Sequence, residues 1–237
     1  MIGESLRDRL VQSLEAAQSK ETLLLELCDD SPPQEAGLWT AKDHIAHLNA
    51  WREHAVRALE AARLEAPYEG PSTDSDLDAR NAEIYAAHRE DSAAAVSAAA
   101  GATYAALIEA VRACSDADLL RHRPGNGGPV WLVVPGNGHG HVAQHLSYWA
   151  VEHGDPSGAE EAAKWSYALD TDLFPENQPV ADYNFACFYG RNGNADDALP
   201  LLRAALRGRP GLRAYALDDA DIEPIRDDPR LASLLGP

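Results

Sequence analysis

Three histidines in this chain have a spacing that would suit a metal site: His47, His141 and His145. Each lies in an apolar stretch with helical spacing, so the imidazoles are expected to be buried. Burying even a neutral imidazole is unfavourable unless its ring nitrogens find partners. Three imidazoles that converge on one point would hold a metal ion and leave a coordination position open for water or substrate.

His141 and His145 are four residues apart, which on a helix places both imidazoles on one face, one turn apart. Trp149 continues that face by a further turn. His47 comes from a distant stretch, and two helices of a bundle would let it meet the pair. Neutral imidazoles suit zinc, nickel or iron(II). A three-ligand site would acidify bound water or stabilise a thiolate or an alkoxide.

A second interpretation needs no metal. Each histidine could be a core or boundary residue whose nitrogens bind a backbone carbonyl or a carboxylate. For the set of three, spacing alone leaves both interpretations open. The metal-free interpretation is preferred for five other histidines: His44, His54, His88, His122 and His153.

Further side chains could orient or line such a site. Asp43 lies four residues before His47 and could orient an imidazole as its acceptor, although an acid near a helix N-terminus is equally expected from the helix dipole. Asn137 could donate into the pocket, but capping the following helix is preferred. Aromatic side chains at helical spacing could wall a cavity or simply pack in the core: Trp51, Tyr85, Tyr104 and Trp149.

The sequence singles out no catalytic residue. It has no glycine-rich phosphate loop, no dinucleotide motif and no Gly-x-Ser-x-Gly elbow, so neither a nucleotide cofactor nor a serine nucleophile is indicated. The three cysteines, Cys28, Cys114 and Cys187, are widely spaced, form no CxxC motif and have no setting typical of a nucleophile.

The composition predicts a globular, cytoplasmic protein. The chain has 38 acidic and 20 basic residues and a net charge of −18, which disfavours nucleic acid and anionic membranes as partners. Unpaired cysteines indicate a reducing compartment. No basic-then-apolar leader opens the sequence. We also expect no apolar stretch close to the roughly 20 residues that a membrane span needs.

The hydrophobic spacing predicts an all-α fold, with an antiparallel four-helix bundle over residues 1–153. The predicted helices cover residues 6–28, 40–64, 76–114 and 137–153. Gly101 is predicted to mark a kink or a junction in the third. Loops at 67–75 and 121–136 would shape the pocket. Pro129–Pro135 is the one β-like piece, either strand-like or a capping segment.

Residues 154–237 change to shorter helical units separated by proline and glycine. One series of residues falls at the offsets of a tetratricopeptide repeat, a helix pair of about 34 residues: Phe185, Ala186, Tyr189, Gly193, Ala198, Leu202, Ala205 and Pro210. One good unit and a weaker copy upstream are fewer than the three repeats that a free-standing array needs. This tail is therefore predicted to pack on the bundle.

The segment Trp39-Thr-Ala-Lys-Asp-His-Ile-Ala-His-Leu-Asn-Ala-Trp51 resembles the second-helix signature of the DinB-like four-helix superfamily, and residues 136–145 resemble its fourth-helix counterpart. In metal-binding members the ligands are one histidine of the second helix and a His-x-x-x-His pair of the fourth. By this resemblance they correspond to His47, His141 and His145. Residues 81–85 and 104–119 resemble the ClbS/DfsB branch, whose best-known members protect their host from a reactive genotoxin.

The histidines and the resemblance together predict a metal-dependent enzyme that acts on a reactive small molecule by hydrolysis or by thiol transfer, for detoxification or self-resistance. The metal would be zinc, nickel or iron, with a metal-free pocket as the open alternative, and a low-molecular-weight thiol is a candidate co-substrate. The other hypothesis is a non-catalytic module that sequesters a small molecule in the bundle or docks a protein on the tail. A homodimer is compatible with both, and the composition suggests a bacterial source.

Overall fold

A computed structural model describes the chain at residues 4–35, 37–68, 70, 74–123 and 128–236. These residues form α-helices and short 3-10 helices without a β-strand, which confirms the predicted all-α class. The chain divides into two compact units, Met1–Ala159 and Glu160–Pro237. The predicted pocket loops at 67–75 and 121–136 lie partly outside the described residues.

The first unit is a helical bundle. In chain order its helices are α1 (Leu6–Leu25), α2 (Ala41–Leu64), α3 (Asp74–His88), α4 (Ala93–Ala113), α5 (Asp116–Leu120), a 3-10 helix (Val130–Leu132), α6 (Val133–Asn137) and α7 (His139–Glu152). The long helices α1, α2, α4 and α7 form the bundle, since α4 packs on α1 and α2, and α7 packs on the same two helices. Fully buried leucine, isoleucine and valine side chains fill its core: Leu10, Leu14, Leu24, Ile45, Leu48, Leu59, Leu107, Val111 and Val142.

The prediction of a single helical tract over residues 76–114 is wrong, because the structure has two helices there, α3 and α4. The chain breaks just ahead of Ser92, whose side-chain oxygen accepts a hydrogen bond from the backbone N–H of Ala95 and so caps α4. Gly101 lies inside α4 and not at the junction. The cap is hard to see in the sequence because Ser92 begins an alanine-rich run with high helix propensity throughout.

The β-like reading of Pro129–Pro135 is also corrected. This segment forms a 3-10 helix followed directly by α6. In the described part of the chain, β pairing is limited to one isolated bridge between His122 and Pro129. Among the described residues no second strand completes a ladder with this segment, so its backbone satisfies its hydrogen bonds locally.

One helix contradicts the expectation that no apolar stretch is long enough to span a membrane. Among the described residues, the helix Ala93–Ala113 is long and apolar enough to cross a membrane, judged by length and composition alone. This helix is α4, and its alanines supply most of the hydropathy. Its Thr103 and Tyr104 side chains enter a buried polar network of the bundle, which is how a core helix behaves.

The second unit is a smaller helical array. The division between the units falls within α8 (Pro156–Leu173), and the helices that follow are α9 (Gln178–Arg191), α10 (Ala195–Gly208), α11 (Leu212–Asp218) and α12 (Pro229–Leu235), with short 3-10 helices at Pro175–Asn177 and Glu223–Ile225. Helix α10 packs along α9, and Gly193, at a φ of +69°, makes the turn between them. The tetratricopeptide character of this pair, and the packing of the tail on the bundle, stay predictions.

Side-chain hydrogen bonds and an ion pair join α9 to the segment that follows α11. The Asp219 carboxylate accepts a hydrogen bond of 2.7 Å from the Tyr183 hydroxyl, and the Cys187 thiol lies 3.6 Å from the same oxygen. Arg191 pairs with Asp221 at 2.9 Å. Burial, reinforced by the Asp219 charge, raises the pKa of the Cys187 thiol. This cysteine is therefore a packed, protonated thiol, as its sequence setting indicates.

Candidate metal centre

The first turn of α2 is fixed by a reciprocal cap. The Thr40 side chain accepts from the backbone N–H of Asp43, and the Asp43 carboxylate accepts from the backbone N–H and the hydroxyl of Thr40, at 2.8 and 2.7 Å. His44 and His47 come one and four residues after Asp43. Both lie on the face of α2 that points into the bundle, and both are buried. The local sequence thus sets where α2 begins and which way its histidines point.

The start of α7 is set by a close approach between backbones. A Cβ on Gly138 would lie 2.8 Å from the carbonyl oxygen of Val134, and a Cβ on Gly140 would lie 3.1 Å from that of Pro135. Glycines at these positions let α7 turn tightly away from α6. The turn brings His141, in the first turn of α7, level with His47.

The structure brings the three predicted ligands together. One ring nitrogen from each of His47, His141 and His145 lies within 4.8 Å of one from each of the others. The ring centroids of His47 are 5.1 Å from those of His141 and 4.8 Å from those of His145. Two distant stretches of the sequence thus present three imidazoles to one point, which we call the histidine cluster.

Burial keeps these imidazoles neutral. It lowers the pKa of His47 from 6.5 to about 4. It also lowers the pKa of His141 and of His145 well below 6.5, assisted by neighbouring histidines and by the Arg52 charge. A neutral imidazole has a lone pair available for a metal ion, whereas an imidazolium has none. The cluster is therefore in the ligand-competent form near neutral pH.

The donor set and its spacing fit a divalent ion. The Nε2 atoms of His141 and His145 lie 3.1 Å apart, close to the roughly 3.4 Å that separates two imidazole nitrogens on one tetrahedral zinc ion. The Nδ1 atom of His47 is buried without a hydrogen-bond partner in the described chain. Buried polar atoms of this kind are rare in folded proteins. The residues present thus suit a three-imidazole metal site.

The histidine cluster opens onto a cavity of about 490 Å³. Ligand pockets for drug-sized molecules have volumes of about 300–1,000 Å³. The described residues of its wall include no cysteine, serine, threonine or lysine. Besides the cluster, the wall comprises Gly37, Trp39, His44, Trp51, Leu77, Asn81, Gly136, Asn137, Gln144, Tyr148 and Glu152.

The aromatic and polar residues singled out in the sequence take different places. Trp51 lines the cavity, and its indole N–H donates to Asn81 Oδ1 at 3.1 Å. Tyr85 and Trp149 are absent from the described wall: Tyr85 stacks on Trp39 with centroids 5.7 Å apart, and Trp149 meets the edge of His44 at 6.0 Å.

Asp43 and Asn137 have local backbone roles. The Asp43 carboxylate belongs to the cap of α2, described above, and no described hydrogen bond joins it to an imidazole. Asn137 lines the cavity, but its amide donates to the Val133 carbonyl oxygen at 2.8 Å, within α6 and not at the start of α7. Gly138 occupies the cap position of α7 instead.

Two residues outside the predicted ligand set, His44 and Trp39, contact the histidine cluster, and Glu152 contacts His44. His44 Nδ1 lies 2.7 Å from His145 Nδ1, and His44 Nε2 lies 3.9 Å from Glu152 Oε2. Trp39 packs over the cluster, with its ring 5.2 Å from His47 and stacked at 6.0 Å on His145. His44 could have been found from its position three residues before His47, which places both on one helix face.

A buried ion pair supports the bundle next to the cluster. Arg52 of α2 and Glu21 of α1 are both fully buried, and their side chains meet at 2.7 Å. The Tyr104 hydroxyl donates to the same carboxylate at 2.7 Å, and the Arg52 guanidinium lies 4.1 Å from the centre of that ring. Arg52 also donates to Thr103 at 2.9 Å. Tyr104 thus belongs to this network and not to the wall of the cavity.

A search of the curated proteins and a search of the solved structures found no match. The family model of the DinB superfamily, in contrast, matches residues 4–148, which is more than half of the chain and contains the whole histidine cluster. The match also agrees with the helical bundle of the first unit. This chain belongs to the DinB superfamily.

Proposed function

We propose that this chain is a metal-dependent enzyme that acts on a reactive small molecule, with His47, His141 and His145 as the ligands. The observation that carries the proposal is the convergence of three neutral imidazoles, with ring nitrogens within 4.8 Å of one another, at the wall of a cavity of about 490 Å³. When bound, a divalent ion supplies a Lewis acid that lowers the pKa of water or of a thiol.

The composition of the cavity wall favours a nucleophile that comes from outside the protein. Among the described residues, no serine, threonine, cysteine or lysine lines the cavity. Cys28 and Cys114 instead contact backbone carbonyls, and burial raises the pKa of both thiols. Attack by water or by a low-molecular-weight thiol on an electrophilic substrate is the reaction class that this wall supports.

The residues of the cavity wall also indicate the chemical character of the substrate. Trp39, Trp51 and Leu77 offer apolar surface on which a flat or aliphatic group packs, while Gln144 and Glu152 offer polar contacts. The Gln144 amide donates to the Tyr148 hydroxyl at 2.7 Å, which leaves its carbonyl oxygen as an acceptor. These features support a partly apolar molecule that carries hydrogen-bond donors.

The biological setting that we propose is protection from a reactive compound in a bacterial cytoplasm. Its support is the resemblance of residues 81–85 and 104–119 to the ClbS/DfsB branch, together with three free cysteines. In this proposal the second unit is a tetratricopeptide-like tail that serves the bundle, and a homodimer is compatible with the function.

Elemental analysis of protein purified without an affinity tag tests the metal. We expect near-stoichiometric zinc, nickel or iron in the native protein, loss of that metal in His141→Ala, and no loss in the control His122→Ala, which removes an exposed histidine. Metal-free native protein whose thermal stability is the same with and without chelator would contradict the proposal.

An activity screen tests the reaction. Metal-loaded protein is incubated with a panel of epoxides, activated esters and alkylating agents, in water alone and with low-molecular-weight thiols. We expect turnover that chelator abolishes and that His141→Ala lacks. Stoichiometric capture of a panel compound without turnover would instead point to the sequestering module.

A further inference from the structure

His145 lies between two other imidazoles. Its Nε2 atom is 3.1 Å from His141 Nε2, and its Nδ1 atom is 2.7 Å from His44 Nδ1. Both distances are those of hydrogen bonds. The side chain of His145 is buried, so no solvent satisfies either nitrogen.

A neutral imidazole carries one N–H group, so only one of the two nitrogens of His145 donates a hydrogen bond. If Nε2 carries the hydrogen, its lone pair is lost and the ring does not serve as a ligand through that atom. If Nδ1 carries it, Nε2 presents a lone pair toward His141 and His47, and Nδ1 donates to His44. Only the second tautomer is competent to bind a metal at the histidine cluster.

The partner of His44 selects between these tautomers. To accept from His145, His44 Nδ1 has to present a lone pair, which puts the hydrogen of His44 on Nε2. That atom is buried, has no hydrogen-bond partner in the described chain, and lies 3.9 Å from Glu152 Oε2. An N–H group facing a carboxylate is favourable, whereas a lone pair facing it is not.

We propose that His44 and Glu152 are positioning residues that hold His145 in its metal-binding tautomer. The chain of contacts runs from the Glu152 carboxylate to His44, then to His145 and to the histidine cluster. Partners of this kind, which bind the second nitrogen of a ligand histidine, fix its tautomer and orientation. The inference rests on the proposed function only for the identity of the group that His145 binds.

Metal affinity measured by competition with a chromophoric chelator tests this role. We expect His44→Leu to weaken zinc or cobalt binding by about 10- to 100-fold. His44→Asn should recover most of that loss, because its amide oxygen accepts from His145 Nδ1–H. A role in packing alone predicts the opposite order, since leucine fills the buried volume better than asparagine. Equal affinities for the two variants, or no loss in either, would overturn the proposal.

Two further variants complete the set. Glu152→Leu should weaken binding more than Glu152→Gln, whose amide oxygen still accepts from His44. The matched control is His54→Leu, which removes another histidine of α2 that contacts Tyr68 and not the cluster. A loss in the control as large as that in His44→Leu contradicts a specific role.

A tautomer measurement separates this inference from the proposed function. In metal-free protein with ¹⁵N-labelled histidine, two-bond ¹H–¹⁵N correlation spectra report which nitrogen of His145 carries the hydrogen. We expect the Nδ1–H form in native protein and loss of that preference in His44→Leu. The Nε2–H form in native protein would refute the inference whether or not the protein binds metal. Conversely, the Nδ1–H form in protein that binds no metal would leave the inference standing and refute the proposed function.

Discussion

The Arg52 guanidinium and the Glu21 carboxylate meet at 2.7 Å with neither side chain exposed to solvent. We expect Arg52→Met to destabilise the protein by about 3–5 kcal/mol, because it leaves a buried carboxylate without its counter-ion. The double variant Arg52→Met with Glu21→Leu should be less destabilised than the single one, since no buried charge remains. Urea unfolding curves measure both free energies.

The matched control for this prediction is Arg57→Met on the same helix. Arg57 pairs with Glu53 at 3.8 Å, and their side chains are 51% and 61% exposed. An exposed pair of this kind contributes about 1 kcal/mol or less. A double variant less stable than Arg52→Met would show that the polar network, and not the unpaired charge, is what the core needs.

Acid should destabilise the metal-free protein through its buried histidines. Burial lowers the pKa of His44 and of His47 from 6.5 to about 4. The unfolded chain therefore binds more protons than the folded protein between those values. The free energy of unfolding is therefore highest, as far as these histidines determine it, above pH 6.5, and it decreases as the pH falls toward 4. Each such histidine contributes a slope of up to about 1.4 kcal/mol per pH unit.

Urea unfolding of chelator-treated protein at several pH values between about 4.5 and 7.5 measures that slope. We expect His47→Gln to have a shallower slope than the native protein, whatever its stability at neutral pH, because one buried titrating group is gone. Parallel curves for the two proteins would mean that His47 is not held neutral by burial.

The glycines before α7 should differ sharply in their tolerance of a side chain. Gly138→Ala places a Cβ 2.8 Å from a backbone oxygen of Val134, so the turn must shift. We expect a loss of about 1–3 kcal/mol and weaker metal binding, because the turn positions His141. Gly136→Ala is the control: a Cβ there meets nothing within 4 Å, and because Gly136 lies within α6 we expect no loss of stability, or a gain of up to about 1 kcal/mol. Thermal unfolding and chelator competition test both variants, and similar losses in the two would contradict the steric argument.

In the second unit, removing the Asp219 carboxylate should lower the free energy of unfolding. Asp219→Ala removes the acceptor of the Tyr183 hydroxyl and of the backbone N–H of Asp221. Leaving a buried hydroxyl without a partner costs about 1–3 kcal/mol. The neighbouring Asp218 is exposed, and Asp218→Ala should change the unfolding free energy by about 0.5 kcal/mol or less. The prediction fails if the two variants unfold at the same urea concentration.

How far the sequence predicts this protein depends on the range of each interaction. The His141–His145 pair is four residues apart, so helix geometry alone sets its shared face, and the motif around His47 supplies the third imidazole by resemblance. The all-α class follows in the same way from hydrophobic spacing within each helix. The shared face of the histidine pair and the all-α class therefore depend on local sequence alone, and not on which helices pack together.

The parts that the sequence did not predict are contacts between distant residues. His44 and His145 are separated by 101 positions and Arg52 and Glu21 by 31, and no local pattern relates the members of either pair. Glu152 looks like an ordinary surface acid in the sequence, because its significance comes only from the buried His44 beside it. The cap at Ser92 is local, but the alanines around it conceal it.

The reciprocal hydrogen bonds between Thr40 and Asp43 hold the first turn of α2 directly before His44. Besides capping the helix, they therefore keep His44 in place. If that first turn frayed, His44 would leave the bundle interior and its contact with His145 would be lost. Anything that binds the ordered form alone must therefore suppress the fraying by mass action. An ion held by the histidine cluster should therefore slow amide exchange in this turn, because His44 contacts the ligand His145. Thr40→Ala should hasten both amide exchange and release of the ion.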